Sequence, residues 1–323
     1  MRGIVQIGFG TPSDALALAD VDQPTLGDDD VLVRVAAAGI NIGVVYGVRG
    51  YPRVMRPMFR SMRAKSGVIG TDIAGTVEAV GKNVTVLGPG DEVFGSCKGA
   101  FAEYAATEPD ALVARPDNLA PEQAAAVGVS AMTALQALRT HGNLASGQHV
   151  LITGASGGVG TFAVQIAKSM GAEVTGVCST GAVDLVRSLG ADHVIDYTNE
   201  DFTRGGPKYD LILDNVGHHS LKAMRQALRP DGLLLANGAP APSGWFGGLG
   251  TPVKSAFASM AHKQQGRPFL SIANEDDLAT LRDLAESGKM TPVIDRTYPL
   301  DDGIEAVGHV GEGHNRGTTI ITM

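Results

Sequence analysis

Seven residues near the middle of the chain, Gly154-Ala155-Ser156-Gly157-Gly158-Val159-Gly160, have the types and spacing to cradle a phosphate. They follow the apolar run His149-Val150-Leu151-Ile152-Thr153, which reads as a buried strand. They lead into helical spacing over Gly158 to Met170. A glycine at 157 lets the backbone come close to a pyrophosphate, and one at 160 lets the helix pack tightly on the strand it leaves. The unpaired N–H groups of the first helical turn face the anion. This strand–loop–helix context lifts the pattern above a bare run of glycines. It departs at one place, where Ala155 stands for the first glycine of G-x-G-x-x-G.

The choice of dinucleotide is made about 20 residues on, where an acidic residue ending the second strand would hold the ribose hydroxyls of NAD. Here that strand ends Gly176-Val177-Cys178-Ser179-Thr180-Gly181, with no Asp or Glu. Two hydroxyls leave room for a 2′-phosphate, which favours NADPH over NADH. The nearest cation, Arg187, is a turn or two into the next helix.

Metal ligation and disulfide chemistry find little support. Cys97 and Cys178 are the only cysteines, far from a disulfide framework or a multi-cysteine zinc site. The eight histidines, including His218-His219, are scattered and read as surface or structural groups. A formal net charge of −8, from 34 acidic and 26 basic residues, excludes nucleic acid as the main partner. Met1-Arg2-Gly3-Ile4-Val5 enters strand-like sequence with no secretory apolar core. The longest uncharged stretch, Gly232 to Val253, is too rich in Gly and Pro to span a membrane. A soluble, cytoplasmic protein is the expectation.

The elements that must position the loop alternate. With 44% apolar and 19% charged residues the chain reads as globular, and 43 glycines in 323 residues signal many tight turns. Residues 1–117 read as mostly β, with strands at Asp30 to Ala37, Ile73 to Val80 and Asp91 to Phe94. Residues 118–273 open on an Ala-rich helix, Pro121 to Leu138. Strands at 149–153, 173–177, 193–196, 209–214 and 233–236 then alternate with helices at 158–170, 183–189 and 220–228. That alternation predicts a doubly wound parallel sheet, with Phe269 to Ile272 as its sixth strand. Residues 274–323, a helix at 275–286 and two terminal strands, return to the first domain.

Taken with Ala37-Ala38-Gly39-Ile40-Asn41, Gly70-Thr71-Asp72-Ile73-Ala74-Gly75, Gly90-Asp91-Glu92-Val93-Phe94-Gly95, Phe101-Ala102-Glu103-Tyr104 and Asp214-Asn215-Val216-Gly217, the loop makes the chain resemble a zinc-free medium-chain dehydrogenase/reductase. The resemblance is to the NADPH:quinone oxidoreductases of the zeta-crystallin type and to enone reductases. It implies a GroES-like catalytic domain with an inserted Rossmann domain, a cleft between them, and a homodimer. It places Ser156, Gly157, Gly158 and Val159 at the pyrophosphate, and Ser179 and Thr180 at the 2′-phosphate. Tyr197 falls beside the adenine ribose, Asn215, Asn237 and Gly238 along the rest of the cofactor, and Asn41 and Thr133 near the nicotinamide. Zinc-dependent relatives carry a ligand Cys in place of Asn41 and Gly-His-Glu in place of Gly70-Thr71-Asp72, so no catalytic zinc is expected.

Without a Lewis acid, the reaction implied is hydride transfer from NADPH to an already activated acceptor, a quinone or an α,β-unsaturated carbonyl. Relatives often carry Asn-x-x-Asp followed by Tyr. Here Asn41 and Tyr46 match, Val44 replaces the Asp, and Tyr46 and Tyr51 are the candidate proton donors, with water as the alternative. Two other readings stand beside this one: a pathway-specific enoyl or alkenal reductase of secondary metabolism, and a non-catalytic NADPH-binding sensor or structural protein. Asp72 reads as a buried structural carboxylate with Arg49 as a possible partner. Arg53, Arg56, Arg60, Arg63 and Lys65 form either a solvated basic face or a gate for an anionic substrate. Trp245, in the loop Pro240 to Pro252, belongs either to the pocket or to a dimer contact.

Overall fold

In Val31–Ile40 only Arg34 and Ala36 point to solvent, the mark of a strand whose far half is covered on both faces. The computed structural model describes residues 1–61, 63–206, 208–238, 265–269 and 271–323; Trp245 lies outside them. In chain order the first stretch carries β1 (Arg2–Gln6), α1 (Pro12–Ala15), β2 (Leu16–Asp20), β3 (Val31–Ile40), α2 (Ile42–Arg49) and α3 (Arg56–Ser61). Next come β4 (Asp72–Val80), β5 (Glu92–Ser96), β6 (Tyr104–Thr107), β7 (Leu112–Ala114) and α4 (Pro121–Gln136). The middle stretch carries β8 (His149–Thr153), α5 (Gly158–Ser169), β9 (Glu173–Cys178), α6 (Val183–Ser188), β10 (His193–Asp196), β11 (Tyr209–Asp214), α7 (Leu221–Ala227), β12 (Leu228–Ala236) and β13 (Gln265–Pro268). The chain ends on α8 (Glu275–Glu286), β14 (Ile294–Pro299), α9 (Gly303–Glu312) and β15 (Thr318–Thr322).

Residues 1–132 and 272–323 form one unit, and 133–271 form another. Residues 118–132 therefore pack with the first unit, although the sequence pattern puts a domain boundary at 117/118. The reason is close packing: a Cβ on Gly39 of β3 would meet the Ala125 carbonyl of α4 at 2.4 Å. The first unit is mostly β, in the strand order β14-β15-β3-β4-β5-β7 with β6 beside β3. Its core gathers Val33, Val35, Val45, Ile73, Phe101 and Val307 around those strands.

The second unit is a six-stranded sheet in the order β10-β9-β8-β11-β12-β13, with every neighbouring pair parallel. Helix α5 buries eight consecutive residues, Gly160 to Ala167, with Phe162 fully covered. Two expectations need correction. The sixth strand is Gln265–Pro268, four residues before the expected one. Helix α4 is broken at Gly128.

Candidate active site

In the second unit the expected cofactor residues converge at the carboxyl ends of the parallel strands. Gly154 leaves β8 with φ +61°, a left-handed conformation that favours glycine. The Gly157 N–H donates to the Gly154 carbonyl at 3.0 Å to close the turn. The backbone N–H groups of Ser156, Gly158 and Val159 have no partner among the described residues. They open α5 as an unsatisfied cradle for an anion.

Behind the loop, Thr153 donates its hydroxyl to Asp214 Oδ1 at 2.7 Å and accepts the Asn215 N–H at 3.0 Å. Asn237 Nδ2 donates to Asn215 Oδ1 at 2.7 Å, and the Asn237 and Gly238 N–H groups donate to the Asp214 carbonyl. A Cβ on Gly238 would meet the Asn215 backbone at 2.4 Å, so β11 and β12 end in contact. Asn215, Asn237 and Gly238 thus lie together. Thr133 is buried on α4, where the second unit begins.

Ser179 and Thr180 follow β9, but a carboxylate missing from the sequence reading has joined them. Asp196 ends β10 opposite Cys178, and its Oδ2 accepts the Thr180 hydroxyl at 2.6 Å. The bond from Thr180 holds this carboxyl below its ordinary range. Tyr197 follows it, largely exposed, with its N–H on the Cys178 carbonyl. Arg187 is paired with Asp184 at 3.7 Å. A carboxylate a few ångströms from a 2′-phosphate costs a factor of roughly 5 to 10 in aqueous surroundings. Asp196→Asn is therefore expected to lower the NADPH-over-NADH ratio of dissociation constants by about that factor. An unchanged ratio in paired titrations would show that Asp196 lies away from the ribose.

In the first unit, Asn41 caps α2, its Oδ1 accepting the Val44 N–H at 3.3 Å. Its Nδ2 donates to Thr71 Oγ1 at 2.9 Å and Asp72 Oδ2 at 3.1 Å, while Thr71 donates to Asp72 Oδ1 at 3.0 Å. Asp72 also accepts the Val129 N–H. The break at Gly128 explains that bond: a Cβ there would sit 2.4 Å from the Asp72 carboxyl carbon, so the helix opens where the carboxylate presses on it. Arg49 is not its partner, donating instead to the Gly311 carbonyl at 3.0 Å.

Burial pushes Asp72 up to about 6, against the pull of Asn41, Val129 and Thr71. A carboxyl whose pKa rises on folding binds its proton more firmly in the native state, so stability falls as pH climbs from about 4 to about 6. A shift of about two units corresponds to roughly 3 kcal/mol. Urea melts from pH 4 to 7 should show wild-type stability falling by up to that amount relative to Asp72→Asn. Parallel pH profiles would contradict it.

Tyr46 lies half-buried on α2, and burial raises its phenol above the ordinary value, with Arg49 pulling the other way. Tyr51 follows the left-handed cap Gly50, its N–H on the Tyr46 carbonyl and its ring 5.9 Å from the Arg53 guanidinium. The basic segment gathers on an aromatic ring. Arg56, Arg60 and Arg63 lie 4.7, 5.5 and 5.1 Å from the centre of Phe9.

A GroES-like unit and a dinucleotide-binding parallel sheet together define a nicotinamide-dependent dehydrogenase or reductase. An alcohol dehydrogenase GroES-like domain matches residues 27–117, and a zinc-binding dehydrogenase domain matches residues 189–321. The chain is 34% identical to the mitochondrial NAD(P)H oxidoreductase RTN4IP1 of Mus musculus, over 91% of this chain and 82% of that one. It is 31% identical to 2-methylene-furan-3-one reductase of Solanum lycopersicum, over 95% and 76%. Its structure matches the quinone oxidoreductase of Coxiella burnetii with TM-score 0.86 at 26% identity, covering 100% and 99% of the two chains. The chain belongs to the medium-chain dehydrogenase/reductase superfamily, in its zeta-crystallin-like quinone oxidoreductase group. It is an oxidoreductase that uses a nicotinamide cofactor.

The zinc named in one matching family does not fit the residues at Asn41. An amide and a hydroxyl replace two ligands, and burial, helped by the Asp72 charge, pushes the nearby Cys97 thiol up. Zinc needs about three thiolate, imidazole or carboxylate ligands. Among the described residues no helix is long and apolar enough to cross a membrane.

Proposed function

We propose that this protein is a zinc-independent reductase that transfers hydride from NADPH to a quinone or an α,β-unsaturated carbonyl, acting as a cytoplasmic homodimer. The observation that carries the reading is the closed Asn41–Thr71–Asp72 network, which puts hydrogen-bonded polar groups where zinc-dependent relatives hold a metal. Bound NADPH supplies the hydride. The N–H groups of Ser156, Gly158 and Val159 hold its pyrophosphate, Ser179, Thr180 and Tyr197 its adenosine end, and Asn215, Asn237, Gly238 and Thr133 its remaining length. Asn41, fixed by Thr71 and Asp72, orients the reacting groups, and Tyr46 delivers the proton that completes reduction.

The test is a titration with NADPH and then NADH, followed by addition of a quinone and an enone with and without a chelator. Tight NADPH binding with chelator-insensitive turnover supports the reading. Chelator-sensitive turnover, or tight binding with no turnover on either acceptor, contradicts it, the latter favouring the sensor.

A second reading has its own observation. Among the described residues no carboxylate pairs with the three guanidiniums over Phe9, and Arg56 Nε donates to the Gly50 carbonyl at the end of α2. Such a group suits an acceptor with an anionic tail, as in an enoyl thioester reductase. Comparing kcat/KM for quinones, alkenals and enoyl thioesters separates the two.

A further inference from the structure

The opposite end of the second unit's sheet carries a cluster that the hydride reaction does not use. His149, Glu173 and His193 are the first residues of β8, β9 and β10. Their register brings them together: His149 pairs with Glu173, and His193 pairs with Thr175, two residues along β9 on the same face as Glu173. One donor atom from each of the three lies within 4.8 Å of the others, the only such His, Cys, Asp and Glu group among the described residues. We propose that His149, Glu173 and His193 form a binding site for a divalent transition-metal ion of the zinc class.

Three features of the geometry support this. First, the spacings bracket what a metal needs. His193 Nε2 is 2.8 Å from Glu173 Oε1, and His149 Nδ1 is 4.0 Å from Glu173 Oε2. Two ligands each about 2.1 Å from a tetrahedral ion lie about 3.4 Å apart, so small side-chain rotations admit the ion between them.

Second, the tautomer of His149 is set from behind. The Thr175 hydroxyl bonds to Tyr209 and lies 2.8 Å from His149 Nε2. When Thr175 donates its one proton to Tyr209, it accepts from Nε2–H, and the lone pair of the neutral ring is left on Nδ1, toward Glu173. Tyr209 also packs edge-on against the ring, 4.8 Å between centroids, fixing its plane. A hydrogen-bonded and packed partner of this kind orients a metal-binding histidine.

Third, the charges suit a cation. Glu173 supplies a negative charge, and the exposure of Glu173 and His193 leaves water a path to the remaining coordination positions. The ion would clamp three adjacent strands. It would sit about 13 Å, four strand residues, from the Gly154 loop, and so be separate from hydride transfer.

The test is metal binding to the full-length, tag-free chain after chelator treatment. Zn²⁺ is titrated against a chromophoric chelator, and Co²⁺ is followed by its visible absorption. One equivalent of Zn²⁺ per chain is expected, with Co²⁺ giving visible bands but no thiolate charge-transfer band. Glu173→Gln and His193→Ala, both at exposed positions, should each weaken Zn²⁺ binding by at least tenfold. Thr175→Val should weaken it by about 10- to 100-fold through the second partner of His149. Zn²⁺ should also raise the Tm of the wild-type chain, reversibly on adding EDTA, and not that of His193→Ala. Cofactor binding by His193→Ala should match wild type. Absence of a bound equivalent, or its retention in both Glu173→Gln and His193→Ala, overturns the proposal. So does loss of the equivalent in Asp72→Asn alone, which would put the ion in the first unit.

Discussion

Gly157→Asp is expected to abolish NADPH binding, raising the dissociation constant by about 10²-fold or more, while the protein still folds. The two halves of that expectation have separate causes. A Cβ at position 157 meets nothing closer than the Gly154 carbonyl oxygen at 3.4 Å, and φ there is −83°, an ordinary value for any residue. The native state therefore accepts the side chain. A carboxylate at the opening of α5 competes for the N–H groups and the helix dipole that the pyrophosphate would otherwise engage, and it repels the phosphate charges. At about 4 Å each pair of like charges costs between 1 and 4 kcal/mol, depending on local screening. Gly160→Ala is the complementary change. Its methyl would sit 2.0 Å from the Gly154 carbonyl and 2.7 Å from the Ala155 Cα, both backbone atoms that cannot swing aside. Here the loss is in folding, about 1–3 kcal/mol by the cost of overpacking, with cofactor affinity falling because the loop is displaced. Calorimetric titration beside thermal melts separates the pair. Tight NADPH binding by folded Gly157→Asp would remove the loop from the cofactor site.

The loop was readable because everything that makes it work is local: one strand, one turn and one helix within 20 residues. Strands β8 and β11 were equally plain, since a parallel strand covered on both faces is written as a largely continuous apolar run. Edge strand β13 was not. Gln265-Gly266-Arg267-Pro268 has no apolar signal, and its place is given by backbone pairing to β12, a bond pattern that sequence does not show. Long-range register accounts for the residues that were missed at the site. Asp196 reaches Thr180 only because β10 lies beside β9 with Asp196 opposite Cys178. The same adjacency unites His149, Glu173 and His193, which are scattered along the chain. An acidic residue ending the third strand, and His, Glu and His at the first positions of three successive strands, were the available signals. Both become informative only once parallel neighbours are assigned.

Tyr46→Phe is expected to lower kcat by about 10²-fold or more on the true acceptor, with the NADPH dissociation constant unchanged. After hydride addition the acceptor carries an anionic oxygen or carbon that must take up a proton, and a positioned acid contributes about 10²–10⁴-fold to such a step. Tyr46 meets the requirement of remaining protonated. Burial raises its phenol, and the opposing charge of Arg49 is the smaller influence. The group is also fixed in place: it lies one turn beyond Asn41, whose side chain caps the helix and is itself held by Thr71 and Asp72. Removal of the hydroxyl leaves the ring and its packing, so folding should be nearly unaffected. Tyr51, its ring beside Arg53, serves as the internal comparison. A loss confined to Tyr51→Phe would move the donor to that residue, and full turnover in both variants would leave water as the proton source. A solvent isotope effect on kcat that grows in Tyr46→Phe and not in Tyr51→Phe would tie the proton to this hydroxyl, because loss of the donor makes protonation the slower step.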